Sequence, residues 1–409
     1  MFNNPNPLTA RTEGSWLFSL PPELISPENE IIISLKRYNT NPLSVKRLLF
    51  AAILLLRFAT MAQKNIDLDK FRFTAEFRSL PYMLVDSSYH TYNVNVEATR
   101  LMQGYLANMD PEQSVYLEGW KHLSKDGHLQ VMVKLEDLIP ESFSVKERVE
   151  PIKDSKGVQT GTRTMYHQEV TYTFNAFAEV NDYKGAHYKN ISLADRQYKQ
   201  VYSSPEFAIK YMAEGYFLLN SLAITEQLFK NCVTRAMHYL SDQLTENFGY
   251  GVSTVTDHMW IIDSRKDPEY TNHRNAFLTL KDALFGISAN KPLGNIREQV
   301  KPVIDYFESL KKKYPGTGKH DRKIRYASYF NLAVLYYYLD DPQAMLKEAG
   351  GLILNDYDTR DGKAFESSAL RLKKLFDDTK IYTRHFAIDI STFRGPYEKP
   401  SVATNQRGF

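Results

Sequence analysis

The sequence predicts an α+β protein in which a β-rich first part, residues 63–182, is followed by a helical second part, residues 205–380. Two observations favour this fold class. Through the first part, apolar and polar residues alternate with a period of two, the pattern of half-buried strands. From Ser204 onward the period changes to 3.6, the pattern of amphipathic helices. Residues 183–204 follow neither pattern and are predicted to be a linker.

A charged and apolar stretch before the β-rich part is typical of a secretory signal. Lys46 and Arg47 precede a run of nine apolar residues that ends at Leu56, and Ala62 stands where a signal peptidase would cut. The run is far shorter than the roughly 20 residues that span a bilayer. We therefore expect residues 45–62 to be a signal peptide. The alternative is a buried core helix, which can contain an apolar run of this length.

The signal lies unusually far from the first residue of the sequence. We expect translation to begin at Val45 from an alternative start codon, so that residues 1–44 are an over-extended or disordered N-terminus. The single cysteine, Cys232, excludes an internal disulfide, and no cysteine follows the apolar run to carry a lipid. Because no second apolar span is present, we expect a periplasmic or secreted protein without stable membrane insertion. Cys232 lies in a helical apolar stripe and is expected to be buried.

The first part is predicted to be an antiparallel, sandwich-like β domain. Residues 71–78 alternate between apolar and polar side chains, and residues 129–135 repeat the pattern. A polar, glycine-containing loop at 153–161 separates two longer apolar segments and predicts a hairpin. The stretch from Leu101 to Met109 fits a short helix or an irregular strand.

The second part is predicted to be a series of helices with short connections. Ser204 and Pro205 have the character of a capping residue and a first helical residue. One stripe of that first helix is predicted to contain Phe207, Tyr211, Leu218 and Leu222. After the helices, residues 381–409 form a strand or ordered coil and then a tail. The later helices are predicted at Ile224–Asn247, Asn272–Ser288, Ile296–Lys313, Lys323–Leu339, Gln343–Leu354 and Lys363–Asp377.

One helical pair carries a recognisable motif. Its first helix has aromatic, large and small residues in a set order, Asp340-Asp341-Pro342 supplies the turn, and apolar residues of the second helix would face inward. This region resembles the tetratricopeptide-repeat family at motif level over residues 296–355 and in architecture over 205–380. Met345 departs from the family pattern, which has a small residue there. The matching residues are Tyr329, Leu332, Ala333, Tyr336, Ala349 and Leu352.

The resemblance implies a helical solenoid that binds protein or peptide segments. With the signal and the β domain, the whole chain looks like tetratricopeptide-like secreted proteins of Gram-negative bacteria. Six aromatic residues crowd one predicted helix and cannot all face its core, so they are buried on several sides or partly offered to a partner. We predict Tyr326, Tyr329, Tyr337 and Tyr338 as binding residues.

Two segments resemble ligand sites but fail the required pattern. Residues 313–320 look like a phosphate loop, yet Lys313 replaces the first glycine and His320 the Ser or Thr that holds Mg²⁺. This segment is therefore predicted to be a turn. Asp356, Asp358 and Asp361 form an acidic run in which Arg360 occupies the third ligand place of a calcium loop. The favoured interpretation is a helix-ending turn with Asp361 as the next cap, and calcium binding is the alternative.

Catalytic signatures are weak. Asp257, His258 and Asp263 lie near Trp260, but in one loop or helix start they are expected to be caps and surface groups. The ten histidines show no metal-ligand spacing, and no nucleophile motif or dinucleotide fingerprint is present. A net charge of +3 is too small to indicate nucleic-acid binding. We therefore predict no metal, no cofactor and no enzyme activity.

The leading functional hypothesis is a non-catalytic binding or scaffold protein of the cell envelope that uses its helical-repeat surface for a protein or peptide. The alternative, from the high aromatic content of 13%, is a glycan-binding protein whose Tyr and Trp stack on sugar rings. The second alternative is an enzyme with a site between the two domains.

The signal interpretation predicts the start of the native protein. N-terminal sequencing and intact mass of protein from fractionated cells should give a chain that begins at Gln63, in the periplasmic or secreted fraction. A native chain that begins near Met1 in the cytoplasm would contradict the signal and favour the buried helix.

Overall fold

The structure, a computed structural model, describes residues 66–398. These residues divide into two compact units, each built from segments that are distant in sequence. We call residues 66–77 and 253–386 the helical unit, and residues 78–252 and 387–398 the sheet unit.

Three of the sequence predictions fall on other parts of the chain. The N-terminus at 1–44, the signal peptide at 45–62 and the end of the tail at 399–409 lie outside the described residues.

Strands and helices both occur in the described residues, which confirms the α+β prediction. The strands are β1 (Leu68–Arg78), β2 (Thr91–Ala98), β3 (Lys121–His122), β4 (Leu129–Leu135), β5 (Ile139–Lys153), β6 (Gln159–Thr173), β7 (Ala176–Asp182), β8 (His187–Ala194), β9 (Gln200–Ser203) and β10 (Val252–Ile262). The helices are α1 (Arg100–Leu106), α2 (Pro111–Ser114), α3 (Lys210–Phe248), α4 (Tyr270–Phe285), α5 (Gly294–Lys313), α6 (Lys319–Tyr338), α7 (Pro342–Asn355) and α8 (Thr359–Thr379).

The larger sheet of the sheet unit has five strands in the order β3-β2-β4-β7-β8. Strand β2 runs parallel to both β3 and β4, whereas β4, β7 and β8 pair antiparallel. The prediction of a wholly antiparallel domain was therefore wrong. The chain between β2 and β4 contains α1 and α2 and is long enough to return β4 in the direction of β2. On β4, buried and half-buried side chains alternate as the sequence predicted.

The second sheet contains the predicted hairpin. Strands β5 and β6 pair antiparallel, with Phe143 opposite Val170, and β9 extends the sheet beyond β6. The segment 183–204, expected to be a linker, contains β8 and β9. Ser204 continues this ladder, because its backbone N–H donates to the Gln168 carbonyl oxygen and its Oγ accepts from the Gln168 N–H, both at 2.8 Å. It does not cap the following helix.

Helix α3 is a single helix of 39 residues, where the sequence predicted two. No proline interrupts the stretch between the two predicted helices. Cys232 is buried, as predicted, and burial raises the pKa of its thiol. The stripe predicted for the first half of the helix is turned outward: Ala213, Phe217 and Ile224 are buried, whereas Leu218 and Leu222 are 80% and 76% exposed. Both faces are apolar here, so periodicity alone could not select the inner one.

The helical unit pairs β1 with β10 and packs this two-stranded ribbon on helices α4 to α8. Strand β1 was predicted; its partner β10 was not. The five helices match the predicted ones within a few residues. Asp341 caps α7 by accepting from the Ala344 N–H at 2.9 Å. Asp358 caps α8, so the prediction of Asp361 as this cap was wrong.

Close packing between α6 and α7 depends on one glycine. A Cβ atom at Gly351 would lie 2.2 Å from Cε1 of Tyr329, so the tyrosine ring occupies the space that a side chain would need. At the adjacent Gly350, a Cβ atom would meet none of residues 66–398 within 4 Å. Ala333 and Ala349, two small residues of the predicted repeat motif, are both fully buried.

These adjacent glycines predict substitutions of opposite sign. Gly351→Ala should lower the free energy of unfolding by about 1–3 kcal/mol, because the ring of Tyr329 must move in a packed interior. Gly350→Ala should raise it by roughly 0.5–1 kcal/mol, because alanine favours a helix interior. Denaturant unfolding of the two variants measures both effects. A stabilising Gly351→Ala would show that the ring and the glycine are not in contact.

Candidate functional site

The structure places the four predicted binding tyrosines on α6 in two environments. Tyr326 and Tyr338 are 6% and 1% exposed. The hydroxyl of Tyr326 donates to Oδ2 of Asp361, and that of Tyr338 donates to Oδ2 of Asp257 at 3.0 Å. Side chains as enclosed as these pack the interior of the helical unit.

Tyr329 and Tyr337 are half-buried and each lies against a cation. The Nζ of Lys311 is 4.7 Å from the ring centre of Tyr329. The guanidinium of Arg384 is 4.4 Å from the ring centre of Tyr337 and 4.3 Å from that of Phe77. The faces of these rings that contact the cations are therefore covered by the chain itself.

Arg384 is held by a carboxylate as well as by the two rings. Its Nε lies 2.7 Å from Oδ1 of Asp340, and its backbone N–H donates to Oδ2 of the same residue. Both side chains are nearly inaccessible to solvent. Burial alone would lower the pKa of Arg384, but Tyr337 and Asp340 outweigh it and raise the pKa. The segment around Arg384 is ordered coil, the second of the two alternatives that the sequence left open.

A second group of aromatic and acidic side chains lies where β10 meets α6 and the α7–α8 turn. His258 and Trp260 are two residues apart on β10 and project to the same side of the strand. Their rings are 5.2 Å apart, and Trp260 is 6.5 Å from Tyr326. Tyr357 lies 5.0 Å from Tyr326. We call His258, Trp260, Tyr326, Tyr357 and Asp361 the aromatic–acidic cluster.

A buried amide fixes the strand that carries this cluster. Asn331, in the middle of α6, is fully buried. Its Oδ1 accepts from the backbone N–H of Trp260 at 2.7 Å, and its Nδ2 donates to the Trp260 carbonyl oxygen at 2.8 Å. The amide therefore satisfies the edge of β10 in the way that a neighbouring strand would. Trp260 itself remains half-buried, and Nζ of Lys70 lies 5.4 Å from its ring centre.

Asp361 is the carboxyl group of the cluster. Burial is the largest influence and raises its pKa; Asp358 raises it further, against the opposing effects of Tyr326, Arg360 and His258. The hydrogen bond that Asp361 receives comes from the neutral hydroxyl of Tyr326. Ionised Asp361 is therefore less well stabilised than a carboxylate in water.

The three aspartates considered for calcium point to separate partners. Asp356 ends α7 with an exposed side chain, Asp358 binds Arg360 at 3.1 Å, and Asp361 binds Tyr326. Within residues 66–398, no group of three or more His, Cys, Asp or Glu residues is arranged to hold a metal ion.

The predicted acid–base group is likewise divided. Asp257 and His258 lie in β10, not in a loop or helix start, and Asp263 follows that strand. Asp257 accepts from Tyr338, and its Oδ1 lies 3.6 Å from Nδ1 of His258. Asp263 is separate from them and pairs with Arg274 at 3.2 Å.

A histidine between two carboxylates was missed by the sequence analysis. Nε2 of His320 lies 2.9 Å from Asp267, and its Nδ1 lies 3.2 Å from Asp321. Burial lowers the pKa of His320, but the two carboxylates outweigh it and raise the pKa. Because both ring nitrogens are engaged, this group links the loop before α4 to the start of α6. Residues 314–318 form the predicted turn between α5 and α6.

Buried Glu269 belongs to a neighbouring network that the sequence also concealed. Its carboxylate accepts from the hydroxyls of Tyr306 and Tyr314 at 3.1 and 2.9 Å and pairs with Lys313. Burial raises the pKa of Glu269, but these donors outweigh it and lower the pKa. Glu269 is therefore satisfied, in contrast to Asp361. The only signal in the sequence was the set of residue types, whose partners lie 37 to 45 positions away.

A comparison of the chain with models of known protein families finds no family model that matches it, and a comparison with curated proteins finds no match. Within residues 66–398, none of the helices has the length and apolar character needed to cross a membrane. Function must therefore be inferred from the side chains that the fold brings together.

The raised pKa of Asp361 predicts a pH-dependent stability effect. Below the unfolded pKa of about 3.9, Asp361 is protonated in both the folded and the unfolded protein. The folded pKa is higher, so the protonated carboxyl group contributes to the free energy of unfolding at low pH, and this contribution is lost as pH rises through the folded pKa. Asp361→Asn keeps an acceptor for Tyr326 without the charge. The free energy of unfolding of Asp361→Asn, relative to that of the wild type, should therefore increase as pH rises from about 4 to neutral.

Denaturant titrations at several pH values would measure this difference. Asp305→Asn, at an exposed position on α5, is the matched control for the loss of a carboxylate. A difference that shrinks with rising pH would mean that ionised Asp361 stabilises the fold.

Proposed function

We propose that this protein is a non-catalytic binding protein of the cell envelope whose helical unit is a tetratricopeptide-like module. Its ligand would be a protein or peptide segment that presents a basic side chain. The aromatic–acidic cluster would receive that side chain. The observation that carries the proposal is Asp361, a carboxyl group among aromatic rings whose hydrogen-bond donor is neutral.

The helices support the module. Helices α4 to α8 follow one another with short connections and share a continuous core. Leu332, Ala333, Ala349 and Leu352, the inward positions of the repeat motif, are all fully buried. Consecutive helical pairs of this kind build surfaces that bind extended segments.

The unit's own chemistry supports a basic ligand. Arg384 is held by Phe77 and Tyr337 on its faces and by Asp340 at its edge. Aromatic faces attract cations, and a carboxylate gives a guanidinium directed hydrogen bonds. The aromatic–acidic cluster has the same components.

The cluster is also partly accessible. Trp260 and Tyr357 are half-buried, so part of each ring faces solvent. Lys70, an exposed residue, lies over one face of the Trp260 ring, and a ligand cation at that face would take its place. A ligand ammonium or guanidinium that also reached Asp361 would favour its ionised form.

The envelope location rests on the sequence pattern at 45–62, with its charged start, apolar run and small residues before Ala62.

A peptide selection tests the proposal. A random peptide library selected on the immobilised full chain should yield sequences enriched in Arg or Lys. Affinity for a selected peptide should fall at least about tenfold in Asp361→Asn, a loss of roughly 1.4 kcal/mol. It should also fall in Trp260→Phe, which keeps an aromatic ring of weaker cation attraction. Affinity should weaken as pH falls and Asp361 becomes protonated.

The controls separate binding from folding. Asp305→Asn should bind as the wild type does, and circular dichroism should show that each variant is folded. Selected peptides without basic residues, or unchanged affinity in Asp361→Asn, would contradict the proposed site. Calorimetric heat with polysaccharides that disappears in Trp260→Phe would instead favour the glycan-binding alternative, because Trp and Tyr rings also stack on sugars.

A further inference from the structure

The first half of α3, in the sheet unit, presents an apolar face that its own unit leaves uncovered. Three leucines on it, Leu218, Leu219 and Leu222, are 80%, 85% and 76% exposed. We call this face the α3 stripe. Its members are Tyr211, Met212, Leu218, Leu219 and Leu222.

The α3 stripe exposes more contiguous apolar surface than isolated surface leucines do. The opposite face of the same segment, with Ala213, Phe217 and Ile224, already packs in the sheet unit. A helix that is apolar on both faces is expected to have neighbours on both. Five such side chains present on the order of 500 Å² of apolar surface, the size of patch that commonly marks an interaction site.

We propose that the α3 stripe is the interface of a homodimer, in which α3 packs antiparallel against α3 of a second copy of this chain. The proposal concerns the sheet unit and is independent of the peptide site proposed above.

The spacing of the stripe is self-complementary in an antiparallel pair. The intervals along the stripe are four, three and four residues, for the series Tyr211, Gly215, Leu218 and Leu222. This order of intervals is the same when the helix is followed in either direction. A two-fold axis between positions 216 and 217 would therefore place Tyr211 opposite the partner's Leu222, and Leu218 opposite the partner's Gly215. A two-fold interface requires that one surface match itself in this way.

Gly215 supports a close approach from outside the unit. A glycine in a helix interior is less favourable than an alanine there. Within the sheet unit nothing demands it, because a Cβ atom there would meet only Cδ1 of Leu219, at 3.9 Å. Opposite a partner's Leu218, the missing side chain would instead leave room for the leucine.

Area and charge favour a second copy over a membrane surface. Two stripes would together bury on the order of 1,000 Å², about the least total area expected of a specific interface. Helices that lie on membranes carry Lys and Arg along their polar face. Between 211 and 222 the charged residue is Glu214, and it pairs with Lys210 at 3.8 Å.

Analytical ultracentrifugation of the full chain over a wide concentration range tests the interface. The chain should form a dimer, and Leu218→Glu should weaken dimerisation at least about tenfold. Leu354→Glu is the matched control, because Leu354 is 87% exposed on α7 of the helical unit and should leave the dimer unchanged. Gly215→Gln should raise the melting temperature of dilute protein yet weaken dimerisation, a combination that a merely structural role would not produce.

Cysteine cross-linking tests the orientation. Under mild oxidation, a mixture of Tyr211→Cys and Leu222→Cys chains should form a disulfide-linked heterodimer, whereas each variant alone should not. Cys232 does not interfere, because it is buried. A parallel pair would give the reverse result.

Three outcomes would overturn the proposal. These are a monomer at all concentrations, a dimer that is insensitive to Leu218→Glu, and a monomer that sediments with phosphatidylglycerol vesicles in a manner lost in Leu218→Glu. The last outcome would identify the α3 stripe as a membrane-binding face.

Discussion

The helical unit depends on a buried side chain that makes the hydrogen bonds a neighbouring strand would make. Asn331 lies in the middle of α6 yet pairs with both backbone groups of Trp260 on β10. A buried amide without partners would cost several kcal/mol, so this pairing fixes the height of β10 along α6. The consequence reaches the candidate site, since His258 and Trp260 stand over Tyr326 only while that register holds.

Local patterns predicted the elements of this fold better than their partners. The alternation in β1 and the period of α4 to α8 identify these elements without any knowledge of the rest of the chain. The partner of β1 is β10, about 180 positions downstream, and no local pattern encodes that pairing. The parallel pairing of β2 with β4 could not be predicted for the same reason. Alternation describes one strand and is silent about the direction of its neighbour.

The candidate site shows the same division. The sequence marked Asp361, Trp260 and Tyr326 in three separate contexts: a calcium loop, an acid–base group and a tyrosine-rich helix. The fold joins them and divides the groups to which they had been assigned. The neighbouring carboxylates of the predicted calcium loop have different partners in the fold. Asp358 caps α8 and pairs with Arg360, whereas Asp361 accepts from the hydroxyl of Tyr326. Residue types could therefore be recognised in advance, and their association could not.

A comparison of two glycines shows how internal and external constraints differ. Gly351 and Gly215 both lie within helices and both carry the cost of glycine there. The cost at Gly351 is explained inside its unit, by the ring of Tyr329. At Gly215 no contact within the sheet unit requires a glycine. The exposed leucines beside it are a second feature that lowers stability without a contact in the unit to compensate for it. Asp361, a half-buried carboxyl group whose hydrogen-bond donor is a neutral hydroxyl, is a third such feature. Features that lower stability without local compensation concentrate where a protein meets something else. A binding protein with one face for a ligand and another for its own copy would account for all three.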